Sequence, residues 1–191
     1  MKLLSILYFS FCFIEADAQL KTNVVWTDET SFPVSETLSY KRGINLLWKD
    51  FRGDVPDESR AAAMTVSGFG YKANLKTTNG KGGLNISVYC YFNNAKSWVK
   101  KGSTSIYILN HEQHHFDISY LAAKLFIDKL ESTVFTNSNY NVLLPKIYNE
   151  CGNIMNKMQN DYDGQTKNGQ LKDMQAKWND LLEQKISMIT K

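Results

Sequence analysis

Proline is scarce, at 3 in 191 residues, beside 11 glycines. That excludes a collagen-like repeat and a Pro-rich low-complexity chain. Cysteine is as rare, at 3, with none in the close C-x-x-C pairs typical of a structural zinc site. A large charge of one sign is also missing: 22 Lys+Arg against 19 Asp+Glu leave +3. Phosphate binding needs a clustered basic patch, so this balance does not argue for nucleic acid. Beyond the N-terminal segment no apolar run approaches the ~18 residues that a membrane span requires, and no internal repeat is visible. What is present is a hydrophobic fraction of 43%, a charged fraction of 21% and 13% aromatics. Such a composition supports a packed core, and the length suits one domain.

The first residues read as a leader. Lys2 precedes an apolar run from Leu3 to Ile14, followed by Ala16-Asp17-Ala18. That layout is a secretory signal peptide over residues 1–18, cleaved after Ala18, with a single domain over 19–191. Export places the remaining Cys90 and Cys151 in an oxidising compartment, periplasmic or extracellular, where they form either a disulfide or two buried free thiols.

The rest divides into a strand-rich part and a helical part. Residues 20–40 are polar and mixed, without a helical period. Ile44–Phe51 is a short apolar segment ending at Gly53, Asp54 and Pro56. Alternation over 64–75 and 84–92, joined by Asn79-Gly80-Lys81-Gly82-Gly83, predicts a β-hairpin. After Ser103 the period changes. Ile106, Leu109, Gln113, Phe116, Tyr120, Ala123, Ile127 and Leu130 predict one long helix. Further helices are expected over about 145–160, with Pro145 in the first turn, and over 170–189. The expected class is α+β: an antiparallel sheet from residues 44–92 packed against the long helix and two C-terminal helices.

The long helix carries His111-Glu112-Gln113-His114-His115, an H-E-x-x-H motif. Residues four apart on a helix are rotated by about 40° and displaced by about 6 Å. His111 and His115 can therefore each give one nitrogen to a single Zn²⁺. Glu112, one residue on, can act as general base on a water activated by that ion. The bland alternative is a surface helix with three histidines on its polar face. His114 is expected to face solvent or to support a ligand. Asp117 either holds an imidazole N–H or caps charge on the helix surface. A catalytic zinc usually takes three protein ligands, and the candidates for the third are Asp161, Asp163, Glu150 and Glu131.

Leu109 to Ile118 resembles the bacterial DUF922 family, described as secreted Zn-dependent proteases. Trp48-Lys49-Asp50-Phe51 resembles its W-x-D-F segment, and Ala61-Ala62-Ala63 its Ala-rich stretch. Tyr162-Asp163, Thr166, Gly169, Gln175 and Trp178 resemble its C-terminal pattern Y-D-x-x-T-x-H-G followed by Q-x-x-W. The likeness runs over roughly residues 44–182. It implies a zinc-dependent protease with a peptide or protein substrate, His111, His115 and Asp163 on the metal and Glu112 as base. One departure is Asn168, where the pattern has His. If that His is the family's third ligand, this chain has lost it, and a non-catalytic scaffold or binding protein retaining the fold is the alternative.

Overall fold

The computed structural model describes residues 18–41, 43, 45–78 and 81–189. Nearly all of the expected leader, Ile44 and the Asn79-Gly80 turn lie outside the described residues.

Alternation builds the sheet. β4 (Ser67–Thr78) and β5 (Lys81–Asn93) form a long antiparallel hairpin, in register from Ser67↔Phe92 to Thr78↔Lys81. On β5, Leu84, Ile86, Val88, Cys90 and Phe92 are buried in the core, as a period of two requires. The other edge of β5 is shared. β1 (Lys21–Trp26) pairs with it in parallel, and β2 (Thr37–Ser39) pairs antiparallel.

The sheet is therefore mixed, not antiparallel, and it recruits residues 21–39 instead of 44–62. β1 turns Val24 and Trp26 toward the core while Lys21, Asn23 and Val25 stay exposed. Its polar outward residues mask the alternation, and its partner lies some sixty residues away. The expected strand over 64–75 is broken. β3 (Ala63–Met64) pairs instead with β6 (Trp98–Val99) in a separate two-stranded ladder.

Three helices complete the α+β fold: α1 (Ile106–Glu131), α2 (Tyr140–Thr166) and α3 (Lys172–Ile189). Ser105 caps α1, its side chain accepting from the Ile108 amide at 3.2 Å. Phe116, Ala123, Phe126 and Leu130 of α1 share one core with the inner face of the sheet. Ile118 joins a second cluster with Tyr162, Trp178 and Leu182 of α2 and α3. α1 is thus covered on both sides, which is why polar residues such as His111, Glu112, His114 and Asp117 are buried along with the apolar ones. Ile106, expected inward, is 84% exposed at the helix start.

α2 begins earlier and ends later than its apolar pattern suggests, and Pro145 sits inside it. Its buried stripe runs Leu144, Ile147, Cys151, then Tyr162 and Thr166, with Met155 and Met158 half-buried between. Cys90 and Cys151 are both free and buried in the main core, so of the two alternatives the structure has the free thiols.

Candidate metal centre

The α1 backbone is gripped where the motif lies. The His111 carbonyl accepts from the Tyr162 hydroxyl (3.3 Å), that of Glu112 from Thr65 Oγ1 (3.1 Å) and that of His115 from Ser67 Oγ (3.2 Å) and Gln159 Nε2 (2.8 Å). Both layers flanking the helix therefore hold its register. The His111 ring also stacks on Tyr162, with centroids 4.6 Å apart and planes 22° from parallel.

Each imidazole is then oriented through its Nδ1. His111 Nδ1 lies 2.9 Å from Gln175 Oε1, and His115 Nδ1 contacts Gln159 Oε1. The amide of Gln159 cannot be reversed, because its Nε2 already donates to the His115 carbonyl. In Gln175, Nε2 donates to the Tyr162 hydroxyl and to Asn179 Oδ1. Both glutamines thus present an oxygen to Nδ1–H. Each imidazole therefore donates from Nδ1, and a neutral imidazole so arranged has a bare lone pair at Nε2.

Those lone pairs converge. His111 Nε2 and His115 Nε2 are 3.3 Å apart, and Asp163 Oδ1 lies 3.2 Å from the first and 3.1 Å from the second. With both protons on Nδ1, none of the three atoms can donate to another. Asp163 Oδ1 and Glu112 Oε2 are buried without a hydrogen-bond partner. Three acceptors so close repel unless a cation lies among them. The edges of a tetrahedron with bonds of 2.0–2.1 Å are about 3.3 Å, close to the spacings seen. His111, His115 and Asp163 can hold a metal ion together. The titration tendencies favour positive charge at the same point, as a proton on His115 beside the ionised Asp163. Burial works to raise the Asp163 carboxyl, yet the two imidazoles hold it well below the usual carboxylate range. Burial works to lower the His115 imidazolium, and Asp163 followed by Glu112 more than offsets it.

Asp163 reaches this point because α2 runs nearly two turns beyond its expected end and stops abruptly. Lys167, Asn168 and Gly169 are all left-handed, with φ of 50°, 51° and 76°. The Asn168 amide donates to the Asp163 carbonyl (2.8 Å), the Gly169 amide to Thr166 Oγ1 (3.1 Å), and the Tyr107 hydroxyl to the Gly169 carbonyl (2.6 Å). A Cβ on Gly169 would stand 3.2 Å from His111 Nδ1. Gly169→Ala is therefore expected to cost about 1–3 kcal/mol through its positive φ and to weaken metal binding by displacing His111; denaturant unfolding and a zinc titration read the two effects separately.

The other candidate acids are elsewhere. Asp161 pairs with Lys157 and Glu150 with Lys129, both on the surface, and Glu131 is exposed. His114, expected to face solvent or to support a ligand, does neither. It is buried, with Nδ1 2.8 Å from Asp117 Oδ2. Asp117 also accepts from the Tyr40 hydroxyl and from Gln113 Nε2, both at 3.0 Å. Asp117 thus supports His114 and neither of the converging histidines.

Glu112 is 4% exposed, and its charge acts on His115. It lines a cleft of about 950 Å³ together with His111, His115 and Asp163. One wall is the segment 60–67, which includes β3. The opposite wall carries Met155 and Gln159 of α2 and the turn at Asn168–Gln170.

Gln159 escaped sequence reasoning, since a lone helical glutamine carries no signal. Gln175 stood only within the C-terminal resemblance. Replacing either by Leu should leave the fold intact and lower metal affinity by roughly 10–100-fold, the usual effect of removing a partner that orients a metal-binding histidine; competition with a chromophoric chelator measures it. Compared with known proteins, this chain matches no family model, no curated protein and no solved structure.

Proposed function

We propose that the protein is a zinc-dependent hydrolase of peptide bonds, exported behind the leader of residues 1–18. The observation that carries this reading is the convergence of His111 Nε2, His115 Nε2 and Asp163 Oδ1 in an open cleft that Glu112, with one oxygen unpartnered, also lines. Two imidazoles and one carboxylate at near-tetrahedral spacing suit Zn²⁺ and leave a position free. Asp163 supplies the third ligand without a side chain from position 168, so Asn168 in place of the DUF922 histidine does not empty the site.

Zinc held by these residues supplies Lewis acidity to a substrate carbonyl and to an attacking water. The chain's own contribution is positional. Glu112, with one oxygen unpartnered, takes a proton from the water as it adds to the carbonyl carbon. The same carboxyl then returns that proton to the amide nitrogen as the C–N bond breaks, giving a carboxylic acid and an amine. Gln159 and Gln175 hold the protons of His115 and His111 at Nδ1, which leaves both Nε2 lone pairs to the metal. The wall at β3 offers main-chain groups beside which an extended substrate can lie.

The test is digestion of an unfolded polypeptide by purified zinc-loaded protein. Cleavage that chelation abolishes and zinc restores is the expected result. One equivalent of zinc with no hydrolysis of any peptide bond would favour a non-catalytic binding protein.

A further inference from the structure

The cleft carries few charges, and their placement is uneven. Its acidic lining residues are Glu112 and Asp163, both at the metal centre. Its cationic lining residue is Arg60, which is exposed and makes no ion pair among the described residues. Arg60 begins the wall that continues through β3 to Thr65, whose hydroxyl holds the Glu112 carbonyl. The next three wall residues, Ala61, Ala62 and Ala63, are too small to screen it. Further cations stand nearby. Lys100 Nζ donates to the Ser59 carbonyl, and its amide donates to the Ala62 carbonyl at 2.8 Å. At the other end Lys172 Nζ sits 6.0 Å from the centre of the Tyr107 ring. Neither these lysines nor Glu58 and Asp57, two and three residues before Arg60, line the cleft.

We infer that the cleft selects acidic polypeptide, with Arg60 receiving a substrate Asp or Glu carboxylate. Once Glu112 and Asp163 are committed to the metal centre, the charge left on the cleft lining is that of Arg60. A guanidinium is the side chain best suited to grip a carboxylate through two parallel hydrogen bonds. Five extended residues separate Arg60 from Thr65, at most about 16 Å. The acidic residue therefore lies within roughly five positions of the bond that is cut. This rests on the hydrolase reading for its cleavage arm, but not for its binding arm.

Two measurements test it. In the first, zinc-loaded wild type and Arg60→Glu digest a mixed peptide library, and mass spectrometry locates the cuts. Wild type should show Asp and Glu enriched at one position near the cut, and Arg60→Glu should lose that enrichment or replace it by Lys and Arg. In the second, Glu112→Gln protein loaded with zinc is titrated with fluorescent acidic and basic decapeptides. The acidic peptide should bind more tightly. Adding Arg60→Glu should weaken it by about tenfold or more, the worth of one charge-assisted hydrogen bond, and added salt should erode the preference. Cleavage with the same profile in both proteins overturns the inference and leaves the hydrolase intact. Arg60-dependent acidic binding without any cleavage supports the inference and overturns the hydrolase. Equal binding of acidic and basic peptides overturns the inference whether or not cleavage occurs.

Discussion

Glu112→Gln should retain a full equivalent of zinc and lose peptide hydrolysis by about 10²–10⁴-fold, the usual contribution of a positioned general base. The substitution preserves shape and volume, so the cleft and its walls persist. Zinc persists because Glu112 is not among the three converging groups. What disappears is the cleft carboxylate that has an oxygen free to accept a proton and is not among the three converging groups. Melting temperature and metal content should match those of wild type, so the loss cannot be assigned to unfolding. Equal hydrolysis by the two proteins would remove Glu112 from the chemistry.

Metal removal should have the second large effect, on stability. A folded chain presents three acceptors at 3.1–3.3 Å that repel one another without a cation. An unfolded chain does not hold them together, so zinc binds the native state preferentially. At free zinc a thousandfold above Kd, that linkage is worth about 4 kcal/mol. For a domain of this size, about 2–4 °C per kcal/mol gives a fall in Tm of roughly 8–16 °C on chelation. His115→Ala or Asp163→Ala should abolish the zinc-dependent increment, while Asp161→Ala, on the surface pair with Lys157, should leave it unchanged. Calorimetry with and without chelator reads all four cases. An increment that survives Asp163→Ala would exclude that residue as a ligand.

Parts of this arrangement are legible in the sequence because the physics is local. The α1 period and the i, i+4 histidines lie within one helix, and the β4–β5 hairpin is signalled by a Gly-rich turn. The end of α2 is different. Asp161-Tyr162-Asp163-Gly164 looks like a chain reversal, but Tyr162 and Thr166 extend a buried stripe begun at Leu144. Burial against α1 and α3 carries the helix through Gly164, and that extra turn is what aims Asp163 at the histidines. β1 is hidden for another reason, since parallel pairing with a distant strand leaves no local turn to reveal it. His114 misleads because polarity marks solvent only on helices with a free face. Here the Tyr40 hydroxyl and Gln113 amide donate to Asp117, and Asp117 pairs with His114 Nδ1, inside the protein.

The most direct measurement is an anomalous difference map from crystals of the zinc-loaded protein, collected at the zinc absorption edge. A single peak should stand about 2.0–2.2 Å from His111 Nε2, His115 Nε2 and an Asp163 carboxylate oxygen, with Glu112 close by but beyond bonding distance. A map with no peak there, or a peak bonded to Glu112 in a closed four-residue site, would contradict the proposed centre.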